Sequence, residues 1–87
     1  MMITMKCKAK IEISLKPGHF NPEGETTVKI LRDLRYQIED VKVAKIYEVT
    51  FEASSRERAQ EQVDEMCRKL LANPVKDDYN FTLVEAK

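Results

Sequence analysis

Few residues of the chain carry side chains that commonly do chemistry, and their spacing matches no known site. The 87 residues contain one histidine, His19, and two cysteines, Cys7 and Cys67, which form no CxxC pair. These are too few ligands for a structural zinc site. The two glycines lie in KPGHFNPEG, so no glycine-rich phosphate loop or dinucleotide motif is present. We therefore predict no catalytic residue, no bound cofactor and no metal in this chain.

Two weaker candidates for chemistry also have simpler explanations. Asp77 and Asp78 could be imagined as a metal-binding pair or an acid–base pair. Carboxylates adjacent in sequence, however, more often form a turn, with their side chains pointing apart. Both cysteines fall on the apolar phase of their predicted elements, and free cysteine is among the most frequently buried residues. We therefore predict a turn at the aspartates and buried, reduced thiols.

Composition limits the classes of partner. Fifteen basic and fifteen acidic residues cancel, so no net field attracts nucleic acid or an anionic membrane. The N-terminal residues MMITMKCKAK contain no apolar run of the kind that a secretory signal requires, and no stretch is long and apolar enough for a membrane helix. We expect a single domain over residues 1–87, located in the cytoplasm.

The first half of the chain predicts a strand and then a helix. Apolar residues alternate with polar ones from Met5 to Lys16, which is the period of a half-buried strand. After Pro17-Gly18, Asn21 can cap a helix with proline at its first position. We expect this helix to run to about Tyr36, with Gly24 explained by the close approach of another backbone segment; a functional contact at Gly24 is the alternative.

The segment from Val41 to Ala53 permits two interpretations. One alternating phase persists for thirteen residues, which favours a single long strand with a bend at Lys45. A hairpin turning near Lys45-Ile46 is the alternative, although the segment lacks the glycine or asparagine that a tight turn prefers.

A second helix and a last strand complete the chain. Ser54 and Glu57 form a capping-box pattern, followed by apolar residues at helical spacing that include Leu70. Asn73 is expected to adopt the left-handed conformation that ends this helix, before Pro74. From Tyr79 onward, apolar and polar residues alternate again, which predicts the last strand. The element order predicts a ferredoxin-like α+β fold, βαβ(β)αβ, whose antiparallel sheet carries two helices on one face.

Two functions of proteins with this fold are disfavoured because the chain lacks the residues that they require. Acylphosphatases share the βαββαβ order but hold phosphate with an arginine in the loop after the first strand, and KPGHFN has none. RNA-binding sheets of this topology need aromatic side chains on their exposed face. Here the strand aromatics fall on the apolar phase: Tyr47, Phe51, Tyr79 and Phe81. An uncovered lysine stripe on the first strand and a long second strand instead indicate self-association.

Four segments, in order, resemble the PurS family, the small subunits of phosphoribosylformylglycinamidine (FGAM) synthase. They are the alternating first strand ending in SLK, the NPxG helix start at 21–24, the VxVxKxYEV stretch at 41–49, and MCRKLLANPVKDDY at 66–79. The resemblance runs almost from end to end. The sequence departs from the family pattern only in a few extra N-terminal residues and in Asn21 where aspartate is common.

The resemblance implies a non-catalytic subunit of a three-component enzyme of purine biosynthesis. A glutaminase subunit, PurQ, releases ammonia from glutamine. A large synthetase subunit, PurL, uses ATP and magnesium to convert formylglycinamide ribonucleotide (FGAR) to FGAM. The small subunit is implied to form a homodimer or tetramer and to bridge the other two, supporting ammonia transfer. The alternative function, from another class, is a stand-alone regulatory module that binds small molecules, like the ACT domains.

Candidate contact residues are polar groups that interrupt apolar patterns. They comprise two positions in the long strand and three after the second helix: Lys45, Tyr47, Asn73, Asp78 and Tyr79. Each also has a structural explanation as a bend, a cap or a core aromatic. We predict that they form an interface between subunits.

Overall fold

A computed structural model describes residues 4–86 and contains a three-stranded antiparallel sheet and two α-helices. The strands are β1 (Met5–Leu15), β2 (Ala44–Ala53) and β3 (Asp77–Glu85), in the spatial order β2-β1-β3. The helices are α1 (Pro22–Asp33) and α2 (Arg56–Met66), and α2 continues into a π-helical segment, Cys67–Leu71. This architecture confirms the predicted α+β class.

The central strand, β1, carries the core of the fold. Its alternation places one set of side chains on the inner face of the sheet, where α2 covers them, and most of this set is buried: Cys7, Ala9, Ile11 and Ile13. From α2 and the π-helical segment, Ala59, Val63 and Cys67 are fully buried against the same cluster. Burial of a side chain such as Ile11 stabilises the fold by about 1.5–3 kcal/mol.

The outer face of the sheet is charged but balanced. Lys6 lies opposite Glu52 and Lys10 opposite Glu48 in the β1–β2 ladder. An ion pair also links the two strands, since the Nζ atom of Lys8 lies 3.4 Å from Glu48 Oε2. The lysine stripe of β1 is therefore matched by acidic residues of β2, and does not form the basic surface that nucleic acid requires.

Strand β2 is continuous, so the hairpin alternative was wrong. Its ladder with β1 runs in unbroken register from Ala44 to Ala53, and Lys45 pairs with Ile13 inside that ladder without interrupting it. The strand begins three residues later than the alternation predicted, at Ala44 instead of Val41. The preceding segment is drawn away from the sheet because it packs along α1.

Helix α1 begins as predicted but ends earlier. The Asn21 side chain accepts a hydrogen bond from Gly24 N at 3.1 Å, and Pro22 occupies the first turn. The helix ends at Asp33, not near Tyr36, because Arg35 adopts a left-handed conformation with φ of 72°. The backbone N–H groups of Arg35 and Tyr36 then donate to Arg32 O and Leu31 O, the bond pattern of a Schellman motif.

The predicted close backbone approach at Gly24 is confirmed. A Cβ atom at this position would lie 2.5 Å from the carbonyl oxygen of Val41, so only glycine fits. Val28, one turn later on the same side of the helix, is buried. The Arg32 Nε group also donates to Ile38 O at 3.0 Å. Residues 22–43 therefore form one unit, here called the arm, in which α1 packs against its own returning chain.

The boundaries of α2 differ from the prediction at both ends. The N-cap is Ser55, whose side chain accepts from Arg58 N, and not Ser54. At the other end Asn73 is not left-handed, since Arg35 is the one non-glycine residue with positive φ within residues 4–86. Leu70 is 82% exposed and not in the core, because the wider π-helical turn changes the phase of the side chains.

The chain is elongated. It extends over 61 × 29 × 14 Å with a radius of gyration of 17.3 Å, whereas a compact chain of this length has about 12 Å. In residues 4–86, α2 packs on the sheet but α1 makes no extensive contact with any strand or with α2. Among the residues that the structure describes, no helix is long and apolar enough to cross a membrane.

Replacing Gly24 with alanine tests the arm. The change adds helix propensity, but the new Cβ would collide with the Val41 carbonyl, and we expect a net loss of about 1–3 kcal/mol in the free energy of unfolding. Urea denaturation measures this loss. Lys29→Ala, at an exposed position of the same helix, is the control and should change stability by less than about 0.5 kcal/mol. Unchanged or increased stability in Gly24→Ala would refute the close approach.

Candidate functional site

Three of the five predicted contact residues share the inner face of the sheet. Lys45 and Tyr79 both lie opposite Ile13, one on each neighbouring strand, so the three form a row across the sheet. Tyr47 lies two residues further along β2, on the same face, opposite Ile11. Lys45 is exposed, and the two tyrosines are half-buried. The structure therefore brings these three side chains to one end of the inner face.

The other two predicted residues lie elsewhere. Asp78 is the second residue of β3, opposite Ser14, and so projects from the outer face, where its carboxylate lies 3.5 Å from Lys16 Nζ. The expected turn at Asp77-Asp78 was therefore wrong. The turn lies at residues 74–76, and both aspartates belong to the strand.

Asn73 organises the loop that leads into β3. Its side-chain oxygen accepts from Val75 N at 2.9 Å, and its backbone N–H donates to the Asp77 carboxylate at 2.9 Å. Its carbonyl accepts from the N–H groups of Lys76 and Asp77. Asparagine and aspartate side chains commonly stabilise loops in this way. The loop holds its shape by its own hydrogen bonds, with Val75 76% exposed at its tip.

A residue that the sequence analysis did not select, Asp64, completes the inner-face group. Its carboxylate accepts from the Tyr79 hydroxyl at 2.6 Å and from Arg68 Nε at 2.7 Å. The Asp64–Arg68 spacing predicts an ion pair on a solvated helix face. The bond to Tyr79 depends on how α2 crosses β3, which residue spacing does not reveal.

Hydrogen bonds among Asp64, Arg68 and Tyr79 shift the pKa values of these side chains. The hydrogen bond from Tyr79, followed by that from Arg68, lowers the pKa of Asp64 below its usual value. In return, the hydrogen bond to Asp64 and partial burial raise the pKa of the Tyr79 phenol. At neutral pH, Asp64 is an anion and Tyr79 a neutral donor. This cluster of Asp64, Arg68 and Tyr79 therefore holds the Tyr79 side chain in one position, and its Tyr79–Asp64 hydrogen bond links β3 to α2.

Other groups capable of chemistry stand apart from this cluster. Cys7 and Cys67 are buried, as predicted, and burial raises the pKa of the Cys67 thiol, which makes it a poor nucleophile. His19 is exposed in the loop between β1 and α1. Within residues 4–86, no group of three or more potential ligands could hold a metal ion.

A groove of 820 Å³ separates the arm from the end of the sheet. Its lining includes Lys16 and Lys42 together with Glu12, Glu25 and Asp40, so charges of both signs are mixed along it. A ligand site usually presents a few polar groups that converge within an apolar cavity. The groove does not have this arrangement of a ligand site. It is the gap between the sheet and the arm.

Comparison with known proteins identifies the family. The family model PurS, phosphoribosylformylglycinamidine (FGAM) synthase, matches residues 8–85. The chain belongs to the PurS family. The PurS subunit of Archaeoglobus fulgidus is 45% identical over 74 residues, covering 84% of this chain and 92% of the relative.

Solved PurS structures share the fold. The crystal structure of PurS from Methanocaldococcus jannaschii superposes with a TM-score of 0.81 at 36% identity, covering 93% of this chain and 99% of the other. A chain in the structure of PurLQS from Thermotoga maritima superposes with a TM-score of 0.81 at 28% identity, covering 91% and 98% of the two chains. These matches favour the PurS interpretation over an ACT-like regulatory module.

Substitution of Tyr79 by phenylalanine tests the cluster. Loss of the hydroxyl donor should raise the pKa of Asp64 towards its ordinary value, as measured by NMR titration of the carboxyl carbon. Because the folded-state pKa is lowered, Asp64 contributes stability above its unfolded pKa, and this is lost as pH falls through the folded value, below about pH 4. Tyr79→Phe should therefore lose less stability on acidification than the wild type.

Tyr36→Phe provides the matched control, since Tyr36 is 60% exposed and lies in the arm. It should leave the Asp64 titration unchanged. An Asp64 pKa that is the same in wild type and Tyr79→Phe would show that the hydrogen bond does not form in solution.

Proposed function

We propose that this chain is the non-catalytic small subunit of an FGAM synthase, bridging a glutaminase subunit and a synthetase subunit during purine biosynthesis. The observation that carries the proposal is the match, over 91% of this chain, to a chain of the Thermotoga maritima PurLQS structure. In this function FGAR, glutamine, ATP and water become FGAM, glutamate, ADP and phosphate. The complex would work in the cytoplasm.

The division of labour follows from the chemistry that each component supplies. The glutaminase subunit releases ammonia, and the synthetase subunit uses ATP and magnesium to activate the amide oxygen of FGAR. This chain binds neither cofactor. Its contribution is to hold the two active sites in a fixed relation, so that ammonia passes between them without escaping to water.

Two separate surfaces suit a bridging subunit. The inner-face end presents Lys45 and Tyr47 beside Tyr79, which Asp64 holds in place. The outer face presents Asp78. Because these groups lie on opposite faces of one sheet, we propose that one surface contacts the glutaminase and the other the synthetase, with the loop at Asn73 joining them. A homodimer would present each surface twice.

Reconstitution with the two partner subunits tests this function. We expect the chain to be required when glutamine is the nitrogen donor, and not when ammonium chloride replaces it. Lys45→Ala and Asp78→Ala should each lower glutamine-dependent FGAM formation by about fivefold or more, the effect of about 1 kcal/mol lost at an interface. The rate with ammonium chloride should stay unchanged, because neither residue belongs to an active site.

Lys42→Ala is the matched control, an exposed lysine that precedes β2, and it should retain full activity. Full glutamine-dependent activity in both Lys45→Ala and Asp78→Ala would contradict the assignment of these surfaces. Equal activity with and without the chain would contradict the proposed function itself.

A further inference from the structure

The outer edge of β3 presents backbone groups that do not bond to β1. In an antiparallel ladder, every second residue directs its N–H and C=O towards the neighbouring strand, and the residues between them direct theirs away. At the two ends of the β1–β3 ladder, Lys16 N donates to Lys76 O at 2.7 Å and Ala86 N donates to Lys6 O at 2.8 Å. Because both bonds join directly opposite even-numbered residues, the even-numbered residues of β3 bond to β1. The odd-numbered residues direct their backbone groups away from the sheet: Asp77, Tyr79, Phe81, Leu83 and Glu85.

The chain covers the two ends of this edge but not its middle. At one end Arg56 Nη2 donates to Leu83 O at 3.2 Å, and at the other the Asp77 N–H donates within the preceding loop. In the part of the chain that the structure describes, β3 pairs only with β1, and no hydrogen bond reaches the outward backbone groups of Tyr79 and Phe81. Edge strands are commonly protected by a proline, a lysine or a bulge, and β3 contains none of these.

These backbone groups match an extended strand. The N–H and C=O of Tyr79 and Phe81, with the N–H of Leu83, are here called the open edge. They repeat every two residues, about 7 Å apart, which is the spacing of another extended backbone. Addition of a strand to a sheet edge is a common way for a domain to bind a protein segment. The Tyr79 and Phe81 side chains are half-buried on the inner face, so apolar side chains at alternate positions of the added strand would lie beside them.

A second copy of β3 suits the open edge poorly. Symmetric pairing centred on Phe81 would place Asp77 opposite Glu85 at both ends, and like charges directly opposite one another destabilise a ladder. It would also bring the added strand into the space of the Arg56 guanidinium, which lies against Leu83 O. The strand sequence DDYNFTLVE has three acidic residues and no basic one, so a strand with a basic residue is complementary to it.

We infer that the open edge of β3 binds an extended segment of a partner subunit, apolar at alternate positions and basic beside Asp77, which joins the sheet as a fourth strand. Asp78 and Tyr79, two of the predicted contact residues, lie on β3 and project from opposite faces of the sheet. The added strand would therefore lie beside both. The inference rests on the proposed function, because it assigns the segment to a subunit that this chain bridges.

Hydrogen exchange followed residue by residue tests the added strand. The chain is placed in deuterated buffer alone, with the glutaminase subunit, with the synthetase subunit and with both, and exchange is resolved by mass spectrometry with electron-transfer fragmentation. Asn80 and Thr82, whose N–H groups bond to β1, are controls in the same strand. In the free chain, we expect the amides of Tyr79 and Phe81 to exchange at least tenfold faster than these controls. Binding of a partner subunit should slow Tyr79 and Phe81 at least tenfold and leave the controls nearly unchanged.

Two results would overturn the inference. One is unchanged exchange at Tyr79 and Phe81 in a sample that sedimentation shows to contain the complex with both partner subunits. The other is slow exchange at these amides in the free chain, which would show that a second copy already covers the edge.

Phe81→Pro provides a second measurement, with Phe81→Ala as its matched control. Both variants lose the aromatic ring, but only proline lacks the N–H at the centre of the open edge, and proline is tolerated where the N–H faces away from the sheet. We expect Phe81→Pro to bind the partner subunit at least tenfold more weakly than Phe81→Ala in sedimentation titrations, with circular dichroism verifying that both remain folded. Equal affinities of the two folded variants would contradict the added strand.

Failure of the inference and failure of the proposed function give different results. A chain that forms the complex and supports glutamine-dependent FGAM formation without protection of Tyr79 and Phe81 would overturn only the added strand. A chain that binds neither the glutaminase nor the synthetase would contradict the bridging function as well.

Discussion

The packing of α2 on one face of β1 is the interaction on which the rest of the structure depends. Strand β1 pairs with both other strands, so its orientation sets the orientation of the whole sheet. Ala59, Val63 and Cys67 of α2 and its π-helical extension are small or medium in size, and they are buried in one cluster with Ile11. The register of the two ladders with β1 places Lys45 and Tyr79 on the face that α2 covers, and Asp78 on the other face.

Within residues 4–86, the same arrangement leaves apolar surface only partly covered. On the inner face of β2, Tyr47, Val49 and Phe51 are half-buried, and α1 makes no extensive contact with any strand. Gly24 keeps α1 against the carbonyl of Val41, so the helix and its returning chain form one unit that stands apart from the sheet.

Periodicity and composition predicted the features that depend on local rules. The alternation of β1, the asparagine cap of α1 and the close approach at Gly24 each follow from a few neighbouring residues. Prediction was wrong where the tertiary context overrides the local pattern. Residues 41–43 alternate like a strand but pack along α1, and α1 ends through a left-handed arginine where glycine is the usual signal. Asp64 was missed because its partner Tyr79 lies fifteen residues away.

The proposed bridging function is tested most directly by sedimentation velocity of the three components. We predict that a glutaminase subunit and a synthetase subunit sediment as separate species at micromolar concentration, and as one larger complex once this chain is added. A complex of the two partner subunits that forms equally well without this chain would contradict the account.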